Sequence, residues 1–251
     1  MVKHPFGTVS WFDLMSPDPA KAREFYAGLF GWTYQVGGPE MGGYAMAQVD
    51  GKNAAGVGKL PDNAPYPSVW TVYFNVESAD AAARAIAAAG GSIMMPVMDV
   101  MDAGRMAIAI DPSGAPFGLW QPMQHTGAQV VGTHGAMGWQ EVHTRDAVAA
   151  KDFYAKVFAL EPTKVPEMDY YVLKRGATDH GGVYNDTRMP ASTPPHWLVY
   201  FDVDDTDAAV ATATATGGRA LMGAFDTPHG RMVVLADPFG AVFAVIKPPK
   251  Q

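Results

Sequence analysis

Near its N-terminus the chain reads Trp11-Phe12-Asp13-Leu14-Met15-Ser16-Pro17-Asp18, followed by Phe25-Tyr26, and this run has an echo. The second copy is Trp139-Gln140-Glu141-Val142-His143-Thr144-Arg145-Asp146, followed by Phe153-Tyr154. The offset is 128 residues for the Trp and Phe pairs, and 127 for Trp70 and Trp197 and for Gly90-Gly91 and Gly217-Gly218. It is 126 for Gly104-Arg105-Met106 and Gly230-Arg231-Met232 and for Asp111-Pro112 and Asp237-Pro238. Landmarks in one order, drifting by only two residues, mean that one folding unit occurs twice with its indels in loops. A length of 251 residues suits two domains of ordinary size. The expected division is 1–122, a linker at 123–133, and 134–251.

Within the first copy, residues 8–15 alternate as a strand. Asp18 or Ser16 can cap a helix whose Ala22, Phe25, Tyr26 and Leu29 fall at helical spacing and which Gly31 ends. Residues 32–36 form a second strand, and a hairpin about Asp50-Gly51 follows. After a proline-rich connection the order recurs. A strand at 69–76 is followed by an alanine-rich helix stopping at Gly90-Gly91. Then come a methionine-rich extended segment at 92–100, a strand at 105–110, the turn Asp111-Pro112-Ser113-Gly114 and a last strand at 116–120. Each copy therefore predicts βαβββ twice.

The net charge of −7 carries no long like-charge runs, which argues against a nucleic-acid surface or a basic membrane-binding face. The absence of cysteine excludes disulfides and thiolate sites. No apolar run resembles a signal peptide or reaches the roughly 20 residues of a membrane span. The expectation is a cytoplasmic protein.

The strand–Asp–helix–Phe-Tyr opening with Leu29-Phe30-Gly31-Trp32, and the Asp-Pro-x-Gly turn before a last strand, resemble the vicinal oxygen chelate superfamily. That superfamily includes glyoxalase I, extradiol dioxygenases, and fosfomycin- and bleomycin-resistance proteins. The duplicated arrangement is similar to the glyoxalase-like antigen or hydroxylase-labelled proteins of actinobacteria. The resemblance implies an α+β fold: two tandem glyoxalase-like domains, each a pair of βαβββ modules forming a curved mixed sheet around a cavity. It also implies a small organic ligand. With four modules in one chain, a monomer could complete its own clefts, so monomer and homodimer both fit.

Metal-dependent members of that superfamily place His, Gln or Glu at four cavity positions. Here those positions fall at Trp11, near Gly56 and Thr71, and at Gly118, and in the second copy at Trp139, near Gly182 and Leu198, and at Ala244. These side chains are not ligands for a divalent cation, so neither metal nor other cofactor is expected. A metal site of another kind would need Glu141 and His143 joined by His180, His196 or His229, and isolated histidines are ordinarily not ligands. Strand alternation puts Trp11, Asp13 and Met15 on one cavity face, with Thr71, Tyr73, Gly118 and Trp120 on neighbouring strands. Gly118 is expected to leave room for a flat ligand. The second copy offers Trp139, Glu141, His143 and Tyr200. Two readings stay open: a metal-free binding protein that stacks an aromatic or polyketide-like metabolite or drug on its tryptophans, and an enzyme, of hydroxylase, lyase or isomerase type, in which Asp13, Glu141 and His143 move protons. A metal-dependent lyase or dioxygenase is a third, which the missing ligands count against.

Overall fold

The computed structural model describes residues 2–64 and 66–249. Met1, Pro65, Lys250 and Gln251, which fall in the ranges expected above, lie outside it.

The first half runs β1 (Val9–Ser16), α1 (Pro19–Phe30), β2 (Thr33–Val36), β3 (Ala45–Val49), β4 (Lys52–Lys59), β5 (Val69–Asn75), α2 (Ala79–Ala88), β6 (Ser92–Val100), β7 (Gly104–Ile110) and β8 (Pro116–Pro122). Its strands form one mixed sheet, sheet A, in the order β2-β3-β4-β1-β5-β8-β7-β6. The second half runs β9 (Met137–Thr144), α3 (Ala147–Phe158), β10 (Glu161–Lys164), β11 (Tyr170–Arg175), β12 (Thr178–Asn185), β13 (His196–Asp202), α4 (Thr206–Ala215), β14 (Arg219–Ala220), β15 (Phe225–Thr227), β16 (Gly230–Ala236) and β17 (Val242–Lys247). Sheet B has the same order, β10-β11-β12-β9-β13-β17-β16-β14, with β15 also on β16. Where sheet A has one continuous edge strand, β6, sheet B has two short ones, interrupted at 221–224. The α+β fold with two tandem glyoxalase-like sheets agrees with the expectation.

Local chemistry explains the helices. Asp18 accepts the Lys21 N–H at 3.1 Å and Pro19 opens the first turn of α1, while Gly31 at φ 68° turns the chain out of it. In α3 the cap is Asp146, accepting from Ala149 at 2.9 Å. The corresponding exit is Ala159 at φ 53°, a left-handed conformation held by a residue with a Cβ.

The two repeats do not bury separate cores. Helix α1 of the first half packs on sheet B: Phe25 lies 6.4 Å from Phe243, and the Tyr26 hydroxyl donates to Asp237 Oδ2 at 3.3 Å. Helix α3 of the second half packs on sheet A: Phe158 stacks on Phe74 at 4.2 Å, and the Tyr154 hydroxyl donates to Asp111 Oδ2 at 2.8 Å. Each hydroxyl also accepts an indole N–H, from Trp70 at 2.9 Å and from Trp197 at 3.0 Å. One hydrophobic cluster therefore spans both halves. The outer-facing strand residues Phe12 and Phe201 meet across it, 5.8 Å apart. The Asp-Pro turn of each half is thus anchored by the Phe-Tyr helix of the other. This leaves the opposite, inner face of each sheet for other uses.

Candidate functional site on the inner faces of the two sheets

Directly opposed residues of neighbouring strands share a face of the sheet. Trp11 faces Tyr73, and Asp13 lies between Thr71 on one side and Gly56 on the other. Tyr73 pairs with Gly118 and Asn75 with Trp120. Trp120 pairs with Met106 and Gly118 with Ile108, and those two pair with Met98 and Met95. The inner face of sheet A thus runs from Met15, Asp13 and Trp11 across Thr71, Tyr73 and Trp120 to a methionine wall. Trp11, Asp13, Tyr73 and Trp120 are buried; Met15, Thr71 and Met106 are half-buried, and Met95 and Met98 are exposed. On sheet B, Trp139 faces Tyr200, Glu141 faces Leu198 and Gly182, and His143 faces His196. Thr71 and Leu198 therefore stand opposite Asp13 and Glu141, one pair along from the two tryptophans.

A relay of hydrogen bonds occupies both floors. On sheet A the Trp11 indole N–H donates to the Tyr44 hydroxyl at 3.0 Å, which donates to Asp13 Oδ2 at 3.4 Å. On sheet B the Trp139 N–H donates to the Tyr170 hydroxyl at 2.9 Å, which donates to Glu141 Oε2 at 2.8 Å. The Tyr200 hydroxyl adds a bond to Glu141 Oε1 at 2.7 Å. Tyr44 and Tyr170 are absent from the sequence-based candidates, yet they sit 126 residues apart, in step with the repeat. That spacing was the available signal. Their hydroxyls lie where a Cβ on Gly56 or Gly182 would overlap them, so both glycines make room for tyrosine. Gly118 differs from expectation in the same way: a Cβ there would overlap the Tyr73 ring, so the space goes to Tyr73 and not to a ligand.

The two carboxylates end in opposite states. Burial pushes Asp13 up to about 7, against the lowering influence of the Tyr73 and Tyr44 hydroxyls; of the two only Tyr44 is within hydrogen-bond distance, and among the described residues Oδ1 is buried without a partner. Burial also acts to raise Glu141. There it is outweighed by the hydrogen bond and charge of His143, and then by Tyr200 and Tyr170, so Glu141 lies below its ordinary value. His143 Nε2 meets Glu141 Oε1 at 3.0 Å and its Nδ1 meets Asp186 Oδ2 at 3.1 Å. Burial disfavours its cation, but Glu141 and then Asp186 raise it above the ordinary 6.5. His196 stacks on its ring at 5.3 Å. Two acceptors on two ring nitrogens require the imidazolium.

This pair sets a pH window. Glu141, depressed from 4.5, contributes stability from that pH upward and loses it as pH falls through its folded value. His143, raised from 6.5, contributes fully below that pH and loses its share as pH rises through its folded value. The stability deficit of His143→Ala is therefore expected to be largest, about 2–4 kcal/mol, between roughly pH 4.5 and 6.5. Urea unfolding across pH checks it; a deficit independent of pH counts against the charged pair.

The segment expected as a linker also belongs to the inner face of sheet A. Its His125 packs edge-on against Trp11 at 4.3 Å and Trp120 at 5.5 Å, and the Trp120 N–H donates to the His125 carbonyl at 2.7 Å. The Ala128 N–H donates to the Ser10 carbonyl at 2.8 Å and the Gln129 N–H to that of Asn53 at 2.7 Å. Residues 123–129 thus strap the Trp11–Trp120 end of the sheet. Burial lowers His125 to about 4, so its ring is neutral, and its Nε2 has no partner. Sheet B carries a separate apolar cluster of Leu198, Tyr200 and Ala244, with Trp139, Met232, Val234, Val242 and Ile246 half-buried around it.

A chain of paired βαβββ modules, with two curved sheets whose inner faces hold carboxylates, belongs to a recognisable class. It belongs to the Glyoxalase/Bleomycin resistance protein/Dioxygenase superfamily, whose model matches residues 8–119 and 125–245. It is 40% identical over 253 residues to "Putative glyoxylase CFP32" of Mycobacterium tuberculosis (strain CDC 1551 / Oshkosh), covering 98% of this chain and 96% of that protein. It is 38% identical over 269 residues to "Anthracycline biosynthesis protein DauV" of Streptomyces sp. (strain C5), covering 98% and 95%. Among solved structures, the Mn(II)-bound glyoxalase from Novosphingobium aromaticivorans superposes with a TM-score of 0.67 at 14% identity, over 96% of this chain and 82% of that one. The 2,3-dioxygenase LapB from Pseudomonas sp. KL28 gives 0.67 at 10% identity, over 99% and 94%. At these identities the structures share the fold.

The residues at the eight positions expected for metal ligands do not fit a divalent cation. Glycine, alanine, leucine and tryptophan occupy seven of the eight positions and a threonine the other, and tyrosine hydroxyls fill the space above Gly56 and Gly182. Among the described residues, no group of three or more His, Asp or Glu side chains is arranged to hold a metal ion. Nor, among them, is any helix long and apolar enough to cross a membrane.

Proposed function

We propose that this protein binds a flat, mainly apolar organic molecule of the aromatic polyketide class against the inner face of sheet A, without a metal. The observation carrying this is the surface beside the strap. Met106, Met95 and Met98 form a partly exposed wall on the strands beside buried Tyr73 and Trp120, and across them Met15 stands two residues from one carboxyl, Asp13, whose Oδ1 has no partner among the described residues. Methionine and indole faces suit polarisable rings of varied outline, and a carboxyl near neutrality can donate to a ligand carbonyl or accept from a hydroxyl. Full-length similarity to DauV, and 39% identity to "Anthracycline biosynthesis protein DnrV" of Streptomyces peucetius, supports secondary metabolism as the setting. One sheet of one chain builds the face, so no partner subunit is needed to complete it.

Titration of tryptophan fluorescence with an anthraquinone-type polyketide tests the reading. Saturable quenching is expected, with Met106→Ala weakening it about fivefold through lost thioether contact. Failure to saturate, or indifference to Met106→Ala, removes it.

The same Oδ1 favours a second reading, in which Asp13 transfers a proton of the bound molecule. Turnover would then show a pH limb near 7, abolished in Asp13→Asn. A bound compound recovered unchanged by mass spectrometry leaves sequestration as the function.

A further inference from the structure

We propose that the uncovered face beside Asp202 on sheet B is a second, separate site, for an organic cation: an ammonium group on a mainly apolar body. The internal repeat supplies the comparison. On sheet A the row Asn75, Trp120, Met106, Met98 crosses four neighbouring strands, and Ser10, at the register break of β1 against β5, is the repeat counterpart of Gly138. Residues 123–129 cover Ser10 and Trp120. Ser10 is fully buried, Trp120 packs under His125, and the Asn75 side-chain amide donates to the His4 carbonyl at 2.6 Å. The protein has closed this end of the row with its own chain, leaving Met106 half-buried and Met98 exposed beyond it.

On sheet B the corresponding row is Asp202, Ile246, Met232, Phe225, with Gly138 in the place of Ser10. Here the row is uncovered. Gly138 is exposed, Ile246 and Met232 are half-buried, and Phe225 is exposed. The change from Asn75 to Asp202 reverses what the position needs. An amide can satisfy a carbonyl; a carboxylate needs a donor, best a cationic one. Asp202 has none. It is 7% exposed, its carboxylate lies over Gly138 where any side chain would overlap it, and burial alone moves it, up to about 6. It is therefore mostly ionised at neutral pH, and among the described residues no cationic side chain pairs with it. An uncompensated, mainly buried carboxylate beside Tyr200, Ile246 and Met232 is a recognition element for an ammonium whose apolar remainder lies on the aliphatic wall. The overall charge of −7 favours approach of such a ligand.

The probes are 9-(aminomethyl)anthracene, cationic at pH 7.5, and the neutral 9-anthracenemethanol, titrated by fluorescence. The amine is expected to bind wild type at least about tenfold more tightly than the alcohol. Asp202→Asn should remove that preference while keeping the affinity for the alcohol. Equal affinities in wild type overturn the proposal without recourse to a variant. So does a preference that survives in Asp202→Asn, which would place the cation elsewhere. The sheet A reading is judged separately, with the neutral polyketide and Met106→Ala.

Discussion

Asp13→Asn is expected to make the protein more stable at pH 8, by about 2–4 kcal/mol, and to lose that advantage as pH falls toward 4. Burial raises the folded-state pKa of Asp13 from 3.8 to about 7. Between those values the folded chain binds more protons than the unfolded one, so wild-type stability declines as pH rises through the interval. Above it the whole cost of a buried ionised carboxyl is present; three pKa units correspond to about 4 kcal/mol as an upper bound. Asparagine has nothing to ionise and can still accept from Tyr44, which donates to Asp13 Oδ2 at 3.4 Å. Urea unfolding at several pH values checks this. A variant no more stable than wild type at pH 8 would mean that Asp13 is solvated or paired. A carboxyl that costs stability is what a binding or proton-transferring role would retain.

The opposite effect is expected at Asp111. Its Oδ1 accepts from the Ser113 N–H at 2.8 Å, the Ser113 hydroxyl at 2.7 Å and the Ala115 N–H at 3.0 Å, while Oδ2 accepts from Tyr154. Asp111→Ala leaves buried donors on both halves without an acceptor, a loss of about 3–5 kcal/mol. Asp237→Ala should cost less, since Tyr26 reaches it at the longer 3.3 Å and two backbone N–H groups complete its set. Because α1 and α3 each pack on the other half, both variants should still unfold in one transition. Two separated transitions in calorimetry would show that the halves are independent.

The fold was legible because its signals are local. Helix caps at Asp18 and Asp146, strand alternation from Trp11 to Met15, and the repeat itself are carried by residues near one another in sequence. The face that alternation assigns to Trp11, Asp13 and Met15 is the one the strand register shows. What was not legible came from other segments. Tyr44 reaches Asp13 from β3's leading end, His125 reaches Trp11 from a segment with no periodicity, and Tyr73 takes the space expected above Gly118.

By itself the sequence determined two βαβββ pairs and a carboxylate on the first strand of each copy. Only the tertiary structure decided what each carboxylate is. Asp13 and Glu141 occupy the same place in the repeat, and both are buried. Glu141 is held ionised because His143 folds back on it and is itself held by Asp186, 43 residues away. At the position of His143 the first copy has Met15, so Asp13 keeps an oxygen without a partner and a pKa near neutrality. Burial raises the free energy of a charge, and only groups brought within hydrogen-bond reach by the fold can lower it again.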